Sequence, residues 1–243
     1  MKTRLSVNLN KIALLRNARG KNFPDLDKYA RLCLDSGVKG ITLHPRPDQR
    51  HATYADVIAM STIVSEYDGA ELNIEGNPID RFMEVVLENK PHQCTLVPDT
   101  PNQITSDHGW DLKKDAQKVT RIVRKLKDSG IRVSLFMDAD LEQIEIAKNT
   151  GTDRIELYTE EYASSYGTKD SEGVFEIYRS AALFANKIGL QVNAGHDLNL
   201  INLEKFLTIG NIKEVSIGHA IIVESLDYGM ENTIKKYLKI LNA

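Results

Sequence analysis

The chain has 243 residues, 42% hydrophobic and 27% charged, with a net charge of −3. That length suits one large domain, and α/β barrels commonly reach it as a single unit. The charge balance leaves no basic footprint for nucleic acid, and no run approaches the roughly 18 apolar residues of a membrane span.

Eight strands are expected, at 4–9, 38–43, 70–74, 93–97, 131–136, 154–158, 190–193 and 214–217. Several are rich in Val, Ile and Leu and short enough to be buried. Between them run segments of helical period: Val57, Met60, Val64 and Tyr67; Leu112, Ala116, Val119, Val123 and Leu126; and Val174, Tyr178, Ala181, Ala185 and Ile188. Glycines 37, 130, 151 and 189 stand where helices should stop before the next strand. Alternating βα units of this kind imply parallel strands with right-handed crossovers. The expected fold is an α/β (β/α)8 barrel forming a single domain over residues 1–243. An open doubly wound sheet competes, but no Gly-x-Gly-x-x-Gly turn follows the first strand. Met1 to Ser6 lack an apolar signal region, so a cytoplasmic location is expected. Cys33 and Cys94 match no metal or redox spacing and read as buried thiols.

Polar residues recur at the strand ends. Arg4-Leu-Ser-Val-Asn8 ends on an amide, Gly40-Ile-Thr-Leu-His44 on an imidazole and Glu71-Leu-Asn-Ile-Glu75 on a carboxylate. Glu156 lies within strand six, while His196 and His219 follow strands seven and eight. In a barrel the active site lies at the C-terminal ends of the strands, so these scattered groups should converge there. Imidazoles that titrate near neutrality beside carboxylates suit repeated proton transfers.

A second set reads as phosphate binding. Gly218-His219 after strand eight and Ala194-Gly195-His196-Asp197 after strand seven both resemble openings of helices, where exposed N–H groups hold phosphate. Arg16-Asn-Ala-Arg19 after strand one, and Arg46 with Arg50-His51 after strand two, supply cations that match phosphate oxygens. Two cationic loops and a glycine site suggest two phosphorylated small-molecule substrates.

On these residues the chain resembles the pyridoxine 5′-phosphate synthase family. The segments that carry the resemblance include Val7-Asn8-Leu9, Leu15-Arg-Asn-Ala-Arg19-Gly20, Gly40-Ile-Thr-Leu-His44, Asp48-Gln-Arg50-His51 and Leu72-Asn-Ile-Glu75. Leu96-Val-Pro98, Val133-Ser-Leu-Phe-Met-Asp138-Ala-Asp140, Val192-Asn-Ala-Gly-His196 and Ile217-Gly-His219-Ala-Ile continue it in order. The resemblance implies a barrel that condenses 1-deoxy-D-xylulose 5-phosphate with 3-amino-2-oxopropyl phosphate, using no cofactor and no metal, and assembling as a homo-octamer. It implies His44 and Glu75 as proton acceptors, His196 as proton donor and Glu156 as a stabiliser of charge. Asn8, Arg19, Asp197, Gly218 and His219 would hold the amino-ketone phosphate; Arg46, His51 and Thr105 would hold the deoxyxylulose phosphate.

Two positions depart from the family. Asn10-Lys11 stand where it usually has Asp-His, and Lys11 is expected to bind a substrate oxygen or phosphate. Asp197 stands where glycine is frequent, so phosphate contact there is expected through the backbone N–H, with the carboxylate turned away. The polar segment 98–110 is long for a βα connection and is expected to act as a lid, with Trp110 as its packing anchor. Segment 159–172 reads as a second mobile element or a surface excursion, and Asp140 as a helix cap. A metal-dependent sugar-phosphate epimerase, with His44, Glu75 and His196 as ligands, is one alternative function. A non-catalytic phosphometabolite-binding barrel is another.

Overall fold

A computed structural model describes residues 2–100, 103 and 105–242. Eight strands form: β1 (Arg4–Asn8), β2 (Gly40–Leu43), β3 (Glu71–Gly76), β4 (Gln93–Leu96), β5 (Arg132–Met137), β6 (Arg154–Tyr158), β7 (Gln191–Gly195) and β8 (Ile212–Ile217). They pair in chain order, all parallel, and β8 returns to β1 to close a single-domain (β/α)8 barrel. Around it lie α1 (Asn10–Asn17), α2 (Leu26–Asp35), α3 (Tyr54–Ser65), α4 (Asp80–Asn89), α5 (Leu112–Asp128) and α6 (Leu141–Asn149). The circuit continues with α7 (Glu160–Ser165), α8 (Ser171–Lys187), α9 (Leu203–Leu207), α10 (His219–Tyr228) and α11 (Met230–Asn242). Segment 159–172 therefore holds α7 and the start of α8. Among the described residues no helix is long and apolar enough to cross a membrane.

Local signals account for the element ends. Thr53 and Asp56 form a reciprocal capping box on α3, and the Asp140 carboxylate accepts from the N–H groups of Glu142 and Gln143 to open α6. Gly130 and Gly189 close α5 and α8 at φ +81° and +83°, a left-handed conformation that a side chain would strain. Cys33 and Cys94 are fully buried free thiols, and burial pushes Cys33 up to about 12.

The apolar richness of the strands holds on one face only. Leu5, Val7, Ile41, Leu43, Leu72 and Ile74, with their counterparts around the barrel, join the helices in one continuous core. Their alternates Ser6, Thr42, Asn73, Thr95, Glu156 and Asn193 are equally buried but polar. Strand side chains alternate, so these share the opposite face, the barrel interior. A buried polar group must find a partner, and here the partners lie across strands. Ser6 and Thr42 hydroxyls meet at 2.7 Å, Thr95 Oγ1 donates to Asn73 Oδ1 at 3.0 Å, and Asn73 Nδ2 donates to Thr42 Oγ1 at 3.3 Å. Toward the strand N-termini, Arg154 and Arg132 each donate to Gln93 Oε1 at 3.0 Å, and Glu214 accepts from Gln93 and Asn193. Glu71 holds the side chains of Arg4 and Arg132.

Arg16, a candidate phosphate ligand by sequence, is instead structural. It sits in the last turn of α1, and its guanidinium grips both oxygens of Asp56, at 2.5 and 2.7 Å. Both side chains are nearly buried, so removing one leaves the other's charge poorly compensated. Arg16→Ala is expected to lower unfolding stability by about 2 kcal/mol, reduced from the fully buried case by residual solvent. The double variant with Asp56→Ala should regain part of that loss in urea titrations; strict additivity would show that the pair is not coupled.

Candidate active site

One cavity of about 480 Å³ opens at the C-terminal ends of the strands. Asn8 closes β1, and Asn10 and Lys11 form the first turn of α1 beside it. His44 follows β2, Glu75 is the penultimate residue of β3, and Glu156 is the middle residue of β6. His196 and Asp197 follow β7, while Gly218 and His219 open α10. Arg46, His51 and Thr105 complete the nominated set lining this cavity. Arg19 stands apart: α1 carries the chain about 12 Å from the strand end, at 1.5 Å per residue. Arg19 lies exposed in the turn beyond it, outside the lining.

The two carboxyls rest on the interior polar layer. Glu75 Oε1 accepts from Asn73 Nδ2 at 3.2 Å and Oε2 from Asn8 Nδ2 at 3.5 Å. Glu156 Oε2 lies 3.4 Å from Thr95 Oγ1. Burial, reinforced by Glu156, Glu214 and Asp99, pushes Glu75 well above the usual carboxylate range against the pull of Arg46. Burial and the Glu214 charge push Glu156 up to about 8. The pair therefore favours the protonated form at neutral pH. Gly195 makes room for this: a Cβ there would stand 2.4 Å from Glu156 Oε1.

Near β2 the electrostatics run the other way. Burial, then the cations Arg46 and Arg50 and the neighbouring His51, holds His44 well below the usual imidazole value. His51 is lowered to about 4 by burial and by Arg46, Arg50 and Lys11. Both rings are neutral at pH 7 and can accept protons. The His44 N–H donates to Asn10 Oδ1 at 3.0 Å, so that Asn10 oxygen is committed to the backbone rather than to a substrate.

Arg46 is buried and already engaged. Nη2 donates to Asp99 Oδ2 at 2.6 Å and Nη1 to the Gln103 carbonyl at 2.9 Å, a carbonyl that Arg50 shares. Ser106 Oγ donates to the same Asp99 oxygen at 2.8 Å. The β4–α5 loop is thus tied to the cations after β2. At its far end Trp110 is buried and donates to the Leu96 carbonyl, the expected anchor, while Gly109 N–H donates to Asp138 Oδ1.

His196 faces two ways. Nε2 lies 3.1 Å from Thr105 Oγ1, and Nδ1 lies 2.9 Å from Asp197 Oδ2. The Asp197 carboxylate is therefore turned onto His196. No helix opens at this turn, contrary to the sequence reading: His196 and Asp197 have φ of +86° and +60°, and α9 begins only at Leu203. The expected helix start does form at Gly218-His219, where Gly218 caps α10 and first-turn N–H groups lack carbonyl partners within the helix. Among the described residues no group of three or more His, Cys, Asp or Glu is placed to hold a metal ion.

Residues 5–243 match the family described as pyridoxal phosphate biosynthesis protein PdxJ. The chain belongs to the PdxJ family. A relative from Flavobacterium johnsoniae, named pyridoxine 5′-phosphate synthase, is 50% identical over 98% of this chain and 99% of its own length. One of the same name from Porphyromonas gingivalis is 48% identical over 97% of each. Among solved structures, 3-hexulose-6-phosphate synthase from Salmonella typhimurium superposes with a TM-score of 0.66 at 15% identity, covering 99% of this chain and 98% of that one. A mutant tryptophan synthase alpha-subunit from Pyrococcus furiosus gives 0.64 at 15% identity, covering 100% and 98%. At such identities these two bear on the fold alone.

The PdxJ-family cavity also contains residues that sequence reasoning passed over. Phe136 and Ser216 line it from the barrel interior, and Asp99, outside the lining, accepts from the lining residues Arg46 and Ser106. Asp99 was within reach of the positional rule that found His44, since it lies just past the end of β4. Ser216 was visible only through the period-two alternation of β8.

Proposed function

We propose that this chain is a pyridoxine 5′-phosphate synthase. It condenses 1-deoxy-D-xylulose 5-phosphate with 3-amino-2-oxopropyl phosphate to pyridoxine 5′-phosphate, inorganic phosphate and water. The observation that carries this function is family membership along nearly the whole chain. The convergence of Glu75 and Glu156 with His44, His51, His196 and His219 in one cavity supports it.

The amino-ketone arrives with an ammonium group, which must lose a proton before its nitrogen can attack a ketone. A cation entering beside Glu75 favours the ionised carboxylate, so substrate binding itself turns Glu75 into a proton acceptor. His44, neutral and buried, takes a further proton during ring closure. His196 presents Nε2 toward the departing oxygens as donor, and Glu156 faces the positive charge of the imine. The N-terminus of α10, with Asn8, His219 and the Asp197 N–H, suits the amino-ketone phosphate. Arg46, His51 and Thr105 suit the second phosphate, which would replace the Gln103 carbonyl on Arg46 and so connect binding to the loop. Exclusion of water by that loop protects imines from hydrolysis.

The decisive measurement is product formation: purified protein with both substrates should generate pyridoxine 5′-phosphate and stoichiometric inorganic phosphate. No turnover by wild type would refute the function. Lys11 takes the place of the family's usual imidazole and acts on the deoxyxylulose substrate as a point charge. Lys11→Ala is expected to raise KM for 1-deoxy-D-xylulose 5-phosphate about tenfold with little change in kcat, the pattern of lost uniform binding; an unchanged KM would remove Lys11 from the site. We further place the enzyme in the cytoplasm as a homo-oligomer, consistent with the highly exposed Phe23, Ile201 and Leu226.

A further inference from the structure

We propose that Asp197 is a positioning residue for His196, holding the imidazole with its proton on Nδ1 so that Nε2 is presented to the cavity. The inference starts from the backbone. His196 and Asp197 are consecutive non-glycine residues in the left-handed region, a strained conformation that persists only where the surroundings impose it. Here they do. Thr159, fully buried, directs its hydroxyl at the carbonyls of Gly195 and His196, at 2.8 and 2.6 Å. Asn199 and Asn202 side-chain amides donate to the Asp197 carbonyl at 3.3 and 3.2 Å.

The turn brings together two neighbouring side chains that an extended or helical backbone would separate. The hydrogen bond from His196 keeps the Asp197 carboxyl below its usual range, hence ionised and able only to accept. Nδ1 must then carry the hydrogen across the 2.9 Å contact. The ring packs edge-on against Tyr158 at 4.9 Å, which fixes its plane, and Nε2 is left facing Thr105. Lys11 from α1 and His219 from α10 also face Asp197, and Tyr158 brings a phenol from β6. Lys11 competes for the carboxylate without displacing the hydrogen bond.

The consequence is directional. A protonated His196 gives its Nε2 proton to a substrate oxygen and returns to the neutral Nδ1–H form, which Asp197 still holds. No other rearrangement is needed, and the ring is ready for reloading. Asp197 touches no reacting atom; it sets which nitrogen does.

The destination of the proton rests on the synthase function, but the tautomer does not, so the test has two arms. Nitrogen-15 imidazole spectra of wild type, with His196→Gln to assign the signal, should report the Nδ1–H tautomer. Asp197→Asn preserves an acceptor and removes the charge: the tautomer should persist, kcat fall about tenfold, and the basic limb of its pH profile move down by about one unit. KM for both substrates should change less than about twofold. Asp197→Gly suits φ +60° and should fold, yet lose the tautomer preference; Asp197→Glu should restore part of kcat. An Nε2–H tautomer in wild type overturns the proposal, as does a loss of kcat in Asp197→Asn with an unmoved pH limb. Absence of turnover by wild type would refute the synthase function alone, since the spectra still decide the role of Asp197.

Discussion

Replacing Glu75 by Gln is expected to lower kcat by about 10²–10⁴-fold, the usual contribution of a positioned general base, while the barrel stays folded. The two halves of that result have one cause. Burial and the neighbouring carboxyls favour the protonated form of Glu75, and glutamine is the neutral isostere of that form. Oε1 can be replaced by an amide oxygen that still accepts from Asn73 Nδ2. What the amide cannot do is ionise when a cationic substrate enters. Steady-state rates with both substrates, set beside urea unfolding of the same variant, check both halves. Full activity would remove Glu75 from the proton-transfer set, and a large loss of stability would mean that the ionised form is what the fold contains.

Glu156→Gln should uncover a large pH-dependent effect on stability. In the unfolded chain this carboxyl titrates near 4.5, in the folded barrel at about 8. Between those values the folded state keeps a proton that the unfolded state has released. Rising pH therefore favours unfolding through this window, and the contribution is fully present below 4.5 and gone above 8. At about 1.4 kcal/mol per unit the ceiling is roughly 5 kcal/mol, and relaxation should leave a few. Glutamine has no proton to lose. The variant should match wild type near pH 5 and exceed it at pH 9 by about 5–10 °C in Tm, given roughly 2–4 °C per kcal/mol for a domain of this size. Thermal curves that stay parallel from pH 5 to 9 would show that the carboxyl is not raised.

Much of the fold was written in the sequence, because its signals are local. All eight strands appear with ends moved by no more than two residues, and the glycine stops at 130 and 189 take left-handed backbone as expected. Strand-end position was enough to gather His44, Glu75, His196 and His219, since a parallel barrel brings every strand end to one mouth. Division of roles among them came from family resemblance, because spacing carries no such information. What escaped the sequence has a different character. Arg16 with Asp56 and Arg46 with Asp99 are pairs between residues far apart in sequence, and no local pattern announces which cation has a partner. The His196–Asp197 contact depends on two positive φ angles at residues that normally avoid them. The polar interior was legible after all: Glu71-Leu-Asn-Ile-Glu75 alternates perfectly, but its apolar members drew the eye to burial alone.

The charged floor of the barrel bears on how the chain can fold. Arg132 and Arg154 reach inward from β5 and β6, Gln93 from β4, and Glu214 arrives only with β8. The bonds that tie Gln93 to Arg154 and to Glu214 join residues 61 and 121 positions apart, so loop closure must precede the contacts that reward it, and formation should be slow for the chain's size. Glu71 of β3 can hold Arg132 before β8 arrives, but Arg154 then lacks the nearby charge of Glu214, a state penalised by desolvation. Intermediates that stop short of closure are thereby disfavoured, and the arrival of β8 sets the moment at which the barrel can close.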